Sequence, residues 1–477
     1  MMPLLERLFR LSENRTTVRT ELLAGATTFL TMAYIIFVQP AVLSGAMFGF
    51  ETGMDLGAVM VATCVAAFVG SVLMGLLANY PVALAPGMGL NFFFVFSAIP
   101  AARAAGYEEP WRVAMGAVFI SGVLFLGLSL LRMREKVLDA ISPSLKHAIA
   151  AGIGLFIAFI GVRNAGLIVG DPGTLVHLTP KLWSPDMLVF FFGLVLTGGL
   201  MARRVRGAIL IGILAATGLA LVLYLMLRGA EAPLLAQSKL LTMFRVDPNF
   251  SPVAAPPSIA PTLFGFDLVG ALSATFIPFI IVFLFMDVFD TMGTFIGVTQ
   301  EAGLLKDNRI PRVREAFVAD SAATMVGAAL GTSTVTSFIE SAAGVEQGGR
   351  TGLTAVVAGT LFLGALFFSP VVALIGSYPC ITAPALVLIG SMMVRNVVHV
   401  AWDDASEALP AFLIIVGLPL THSIADGIAL GLVAYSLVKL VAGRGRECSL
   451  WLHGLALLLL FYFLALRSEG PLNLFGG

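Results

Sequence analysis

The feature that most constrains this chain is the recurrence of apolar runs of about 17–25 residues along nearly its whole length, each long enough to cross a bilayer as a helix. Candidate spans begin near residues 22, 58, 82, 112, 145, 187, 207, 268, 314, 334, 352, 381, 405 and 423, about 14 in all. A further apolar run, Leu450–Leu466, follows Arg444 and Arg446 and is expected either to span the membrane or to lie in its interface. Composition agrees: of 477 residues, 58% are hydrophobic and only 12% charged, against about 25% charged in soluble domains. The chain therefore reads as an all-α polytopic membrane protein embedded in a lipid bilayer. Lys+Arg 28 balance Asp+Glu 28, so nothing points to nucleic acid or another strongly charged partner.

Charge placement predicts the orientation. With the N-terminus in the cytoplasm, basic clusters at Arg7–Arg19, Arg132–Lys136, Arg203–Arg206, Lys306–Arg314 and Lys439–Arg446 all fall on the cytoplasmic side. Residues 1–20 are basic and amphipathic, and read as a retained cytoplasmic surface helix rather than a cleaved signal. The longest non-apolar stretches, Arg163–Pro185 and Arg228–Pro261, then fall outside. The second divides the chain into halves of about seven spans. The halves share Val-Arg-Asn at a helix end (Val162–Asn164 and Val394–Asn396), and Arg206–Leu225 resembles Asp426–Val441. An odd number of spans per half turns the second half upside down, which predicts an inverted-topology repeat.

Two segments break the helical pattern at matching places. In PVALAPGMGLNFFFVF (Pro81–Phe96), Pro-Gly-Met-Gly interrupts an apolar run, so an extended piece should precede a half-helix starting near Gly89–Asn91. In GTSTVTSFIESAAGV (Gly331–Val345), Ser, Thr and β-branched residues disfavour helix until about Phe338–Ser341. Such paired breaks present half-helix N–H groups and positive dipole ends to a ligand; the alternative is a Gly-rich packing seam. Asn91 in one break and Glu340 in the other favour a binding site.

FMDVFDTMGT (Phe285–Thr294) places Asp287 and Asp290 inside the apolar run from Phe276 to Val298. Each carboxylate at mid-membrane costs about 2.5–3.5 kcal/mol on insertion scales, so such acids mark substrate, ion or proton paths. Asp287 and Asp290 are three apart and face roughly the same side of a helix. One would meet substrate, while the other would couple protons or hold the helix to its neighbours. Glu346 and Arg350 read as ordinary solvated charges.

Enzyme motifs are absent: there is no HExxH and no GxxxxGK[ST]. Three cysteines (Cys64, Cys380, Cys448) stand too far apart for a metal or disulfide framework. Of five scattered histidines, His422 alone merits a test. No cofactor and no metal are expected.

Thr27–Ser44, ALAPGMGLNFFFVF, FLFMDVFDTMGTFIGV, Ala319–Val345 and Leu418–Gly431 together resemble the nucleobase–cation symporter 2 superfamily. The closer resemblance is to its AzgA-like branch of adenine/guanine/hypoxanthine permeases, from about Arg19 to Lys439. Gln39 stands where the branch more often carries Asn, and keeps an amide there. The resemblance implies two inverted seven-helix repeats, with short strands in broken spans 3 and 10. A core domain would comprise 21–132 (spans 1–4) and 263–375 (spans 8–11). A gate domain would comprise 143–227 (spans 5–7) and 376–442 (spans 12–14). The loop 228–262 would be extracytoplasmic, and 449–467 an added hydrophobic segment. It further implies a substrate held between core and gate by Glu340, Asp290, Gly89, Asn91 and Ser341, and an elevator-type movement against a gate that forms a homodimer.

A flat purine edged with donors and acceptors suits this set. An ionised Glu340 accepts from two adjacent donors, backbone N–H groups serve ring nitrogens, and Phe92, Phe93, Phe285 and Phe338 are candidate walls. Asp290, Glu340 and Asp287 are the proton-coupling candidates, since burial raises an acid's pKa toward the working range. The expected function is import of hypoxanthine, guanine or adenine across the cytoplasmic membrane by proton symport; xanthine or uracil transport remains open. An anion transporter of this fold would favour a neutral or cationic residue at Glu340. A membrane enzyme would need a metal or nucleophile constellation that the sequence lacks.

Overall fold

A computed structural model describes residues 2–131, 142–171, 173–228, 238–244, 250–301 and 312–462. The basic cluster at Arg132–Lys136, most of Lys306–Arg314 and the end of segment 449–467 lie outside the described residues. Two compact units form, residues 1–131 with 160–388 and residues 132–159 with 389–477.

The first unit begins with α1 (Met2–Phe9), α2 (Val18–Met32), α3 (Ile35–Leu43) and α4 (Leu56–Leu73). The strand β1 (Leu84–Pro86) follows, then α5 (Met88–Phe93), which runs through a π-turn into α6 (Ile99–Ala104), and α7 (Pro110–Leu130). α8 (Pro143–Ala165) enters this unit at residue 160 and leads to a hairpin of β2 (Ile168–Asp171) and β3 (Leu175–Leu178). Next come α9 (Pro185–Ala202), α10 (Ala208–Leu227), α11 (Lys239–Met243) and α12 (Leu268–Ala271). α13 (Ile277–Glu301), α14 (Val313–Leu330), β4 (Val335–Ser337), α15 (Ala342–Glu346), α16 (Gly352–Ala365), α17 (Ser369–Gly376) and most of α18 (Pro379–Val394) complete it. The helix expected near residue 268 begins instead at Ile277, because Leu268–Ala271 closes as a separate turn capped by Asp267.

Helix starts follow local chemistry. The side chains of Thr17, Asp55, Ser184 and Thr351 accept N–H groups of the first turns of α2, α4, α9 and α16. Proline opens α7 and α9, where its missing N–H has no helical partner to lose. Among the described residues, eight helices are long and apolar enough to cross a membrane. The core is rich in aromatic contacts. Phe93 meets Phe283 edge-on at 4.7 Å, and Phe317 meets both Phe125 and Phe295 at 5.5 Å between ring centres.

Long-range polar contacts fix this unit. Glu21 of α2 is fully buried and accepts the Arg350 N–H at 2.9 Å, the Thr354 N–H at 3.2 Å and the Thr354 hydroxyl at 2.6 Å. A side chain from one helix thus caps the start of α16. Asp186 accepts from Tyr378 at 2.7 Å, from Ser238 at 3.1 Å and from the Lys239 and Leu240 N–H groups at 3.0 Å, tying α9, α11 and the start of α18.

The second unit contains the first part of α8, the end of α18, α19 (Ala405–Thr421), α20 (Ile424–Val441) and α21 (Leu450–Tyr462). Gly154 and Gly390 back onto each other, which lets α8 and α18 approach at backbone distance. α19 turns into α20 through His422, which has φ 53° and lays its ring 5.2 Å from that of Phe159. The histidine worth testing is thus a helix-end residue. Lys439 is buried and pairs with Glu407 at 2.9 Å and Glu447 at 3.0 Å.

Candidate substrate site

The two predicted breaks meet as a strand pair. β1 and β4 run antiparallel, with Leu84 opposite Ser337, Ala85 opposite Thr336 and Pro86 opposite Val335. The ladder is extended by Gly87 N–H to Thr334 O at 3.0 Å and Phe338 N–H to Ala83 O at 3.1 Å. Each strand feeds a helix start: α5 from Met88, and a 3-10 turn at Ile339–Ser341 that continues as α15. The first-turn N–H groups from Met88 to Leu90 have no partner within the helix. Gly87 lets the strands approach closely at this crossing, since a Cβ there would lie 2.7 Å from Thr336 Cγ2 and force a shift.

Asp290 projects into open space. It is exposed, while the other described residues between Phe283 and Phe295 are buried or half-buried. Its carboxylate lies 3.8 Å from the position of a Cβ on Gly87, beside the α5 start. Glu340 is half-buried and close enough to Asp290 for the two charges to act on each other. Glu340 Oε1 accepts the Tyr34 hydroxyl at 2.9 Å, and its carbonyl accepts the Thr31 hydroxyl at 3.3 Å. Tyr34 is buried at the break between α2 and α3. The sequence reading did not single it out, although it lies within the Thr27–Ser44 motif.

The other expected residues separate into open and buried. Gly89 and Phe285 are half-buried, and Phe338 is nearly buried. Phe92 is fully buried, with its ring 6.0 Å from that of Phe48 and stacked on Phe96 at 6.1 Å. Phe93 is likewise in the core. Ser341 is buried, and its hydroxyl accepts the Ala83 N–H at 3.1 Å, locking the 3-10 turn to the residue before β1. Ile339, which the sequence did not mark, is 46% exposed beside Glu340.

Asn91 is fully buried. It exchanges hydrogen bonds with the Gln39 amide and accepts from the Ser333 hydroxyl. Gln39 also reaches Thr332 Oγ at 3.0 Å. The amide pair joins α3, α5 and the segment entering β4, and so positions the α5 start.

Asp287 and Asp290 diverge although only three residues apart. Asp287 is 1% exposed and accepts from Thr324 of α14 at 3.0 Å. Asp320, also on α14 and fully buried, accepts from Thr291 at 2.7 Å.

Residues 19–430 match the Permease family (Xan_ur_permease). The chain is 44% identical to a putative permease of Methanocaldococcus jannaschii, over 98% of this chain and 100% of that protein. It is 42% identical to the guanine/hypoxanthine permease PbuO of Bacillus subtilis, over 92% and 96%. It is 41% identical to the adenine permease AdeP of Escherichia coli, over 94% and 93%. The transmembrane domain of the cyanobacterial bicarbonate transporter BicA superposes with a TM-score of 0.59 at 13% identity, over 86% of this chain and 97% of that one, a likeness of fold alone. The chain belongs to this family of multi-pass membrane permeases, within the nucleobase/ascorbate transporters, and is a transporter rather than an enzyme.

Proposed function

We propose that this chain imports purine nucleobases (hypoxanthine, guanine or adenine) across the cytoplasmic membrane by proton symport, with its N-terminus in the cytoplasm. The observation that carries this reading is the convergence of Asp290 and Glu340 on the paired strands β1 and β4, beside two helix starts. Glu340, held by Tyr34, accepts two adjacent donors of the purine edge. N–H groups from Met88 to Leu90 serve ring nitrogens or a carbonyl. Asp290 meets the substrate from α13, and Gly89, Phe285, Phe338 and Ile339 border it. Asn91, Ser341 and Phe92 support the site from behind. The names of the guanine/hypoxanthine and adenine permeases that this chain resembles support a purine.

The same reading takes the chain as about 14 spans in two inverted repeats. The core segments 21–132 and 263–375 carry the site, and the gate segments 143–227 and 376–442 form a homodimer. Transport is an elevator-type movement of the core.

The test is uptake of radiolabelled hypoxanthine into nucleobase-transport-deficient cells expressing this chain, with guanine, adenine, xanthine and uracil as competitors and a protonophore control. Protonophore-sensitive uptake blocked by guanine or adenine, but not uracil, is expected. Glu340→Gln should abolish uptake with the protein still in the membrane, and Asp290→Asn should impair binding or coupling. Transport of uracil or xanthine in place of hypoxanthine would overturn the substrate.

A further inference from the structure

A polar cavity of about 430 Å³ opens at the start of α2. One wall is the turn from α1 to α2, and the other is the linker from α15 to α16. Its lining includes Arg15, Arg350, Glu13, Thr16, Thr17 and Thr20, and no apolar side chain. Bonds on either side tie the walls together. Asn79 donates to the Phe9 carbonyl at 3.0 Å and accepts the Gly352 N–H at 2.8 Å, while Glu21 accepts the Arg350 N–H at 2.9 Å. Gly348 has φ 102°, and a side chain there would meet Thr20 Cγ2 at 2.8 Å, so glycine lets the linker run close against α2.

Two cations line this cavity without a carboxylate to answer them. Arg350, which the sequence reads as an ordinary solvated charge, is half-buried. Its Nη1 donates to the Val345 carbonyl at 2.6 Å and to the Gly349 carbonyl at 2.7 Å. Those bonds fix the guanidinium and leave its Nε and Nη2 edge for another acceptor. Arg15 is exposed, and among the described residues neither arginine forms an ion pair. Glu13 on the same lining pairs with Arg10 at 3.6 Å instead. Two guanidinium groups on one cavity repel each other unless an anion joins them, and their planar forks match a carboxylate or a phosphate. The rest of the lining favours phosphate. A phosphate monoester presents three acceptor oxygens, and the threonine hydroxyls supply donors beyond the two forks. The volume falls in the range of about 300–1,000 Å³ typical of small-molecule sites, so the phosphate has room for an organic body. Glu13 and Asn14 add acceptors, which suit hydroxyl groups on that body.

We propose that this cavity binds a phosphorylated sugar, with its phosphate between Arg15 and Arg350 and its hydroxyls toward Glu13 and Asn14. The ligand is either a soluble sugar phosphate or the sugar-phosphate headgroup of a lipid, since both present the same chemistry. Arg350 gives the occupant a route to the substrate site. It holds the Val345 carbonyl of α15, the helix that follows Glu340 through Ser341. The site goes beyond the purine reading and does not rest on it; under the orientation proposed above it faces the cytoplasm.

The test is isothermal titration calorimetry of the purified full chain in phosphatidylcholine nanodiscs, with ribose 5-phosphate as the probe and ribose and succinate as controls. Ribose 5-phosphate should bind, and the two controls should not. Arg15→Gln should weaken binding by roughly tenfold or more with an unchanged unfolding temperature. Arg350→Gln should weaken it as well; because Arg350 also holds two backbone carbonyls, Arg15→Gln is the deciding variant. Repeating the titration in nanodiscs that contain phosphatidylinositol 4-phosphate separates the sources. Undiminished binding there assigns the site to a soluble ligand, and displaced binding assigns it to a lipid headgroup. Absence of ribose 5-phosphate binding in phosphatidylcholine, equal binding of succinate, or an affinity that Arg15→Gln leaves unaltered overturns the proposal. A parallel titration with hypoxanthine tests the purine reading separately, since the ribose 5-phosphate measurement needs no purine.

Discussion

The Tyr34 hydroxyl donates to Glu340 Oε1 at 2.9 Å, joining two residues 306 positions apart. Tyr34 is buried and Glu340 half-buried, so the phenol holds one carboxylate oxygen, and under the proposed function the other meets the purine. Hydrogen bonds to charged groups contribute about 1.5–3 kcal/mol. Tyr34→Phe keeps the ring and removes this bond. Apparent affinity for hypoxanthine should fall by roughly tenfold or more, read as a raised uptake KM with unchanged membrane content. An unaltered KM would show that Glu340 is oriented by other contacts.

Gly87 sits where β1 meets α5, against Thr336. A methyl group there would stand 2.7 Å from Thr336 Cγ2, so the Thr336 side chain or the strand that carries it must shift for Gly87→Ala to fit. Because β4 leads directly to Glu340, uptake should be lost or severely reduced while the protein still reaches the membrane. Normal uptake kinetics in Gly87→Ala would mean that the strand pair tolerates displacement.

Glu21 accepts three hydrogen bonds at the start of α16 and is fully buried. Glu21→Gln replaces one acceptor with an NH2 group that faces backbone donors. A buried donor left unmade costs about 1–3 kcal/mol, so thermal unfolding in detergent should begin at a distinctly lower temperature. Retained thermal stability would place the cap's contribution elsewhere, on Thr351.

Asp404, at the start of α19, accepts from Ser406 N–H at 2.9 Å, Ser406 Oγ at 2.7 Å and Arg444 at 2.8 Å. The Ser406 hydroxyl first, then Arg444, hold its carboxyl down to about 2. Since the folded value lies below the unfolded value of about 3.9, this contribution is present above about pH 4 and is lost as the pH falls through about 2. Unfolding temperatures measured across that window should fall less steeply for Asp404→Asn than for the wild type. Parallel curves would remove Asp404 from the acid response.

The two helix breaks that pair as β1 and β4 were legible along the chain. Pro86 and Gly87 announce the break before Met88, the Ser/Thr run of 332–337 announces β4, and acids inside apolar runs announce Asp290 and Glu340. What stayed hidden depends on which segments become neighbours. Asp320 lies in an ordinary-looking helix until Thr291 is seen to reach it. That Asn91 pairs with Gln39 and Ser333 is likewise hidden, because the three lie in separate segments. The hairpin of Ile168–Asp171 and Leu175–Leu178 falls in a stretch that reads as loop, because four-residue strands leave too short a period to register.

By itself, the sequence determined that this chain lives in a membrane as apolar helices, where two of them break and that carboxylates fall inside those apolar runs, since hydropathy and Pro/Gly chemistry act locally. Only the tertiary structure decided that Leu84 pairs with Ser337, that Tyr34 holds Glu340, and that Asp290 faces open space while Asp287, less than one turn away, turns to Thr324. Those outcomes depend on helix rotation and register. Packing of large side chains sets both, and it involves residues hundreds of positions apart that no local pattern can join.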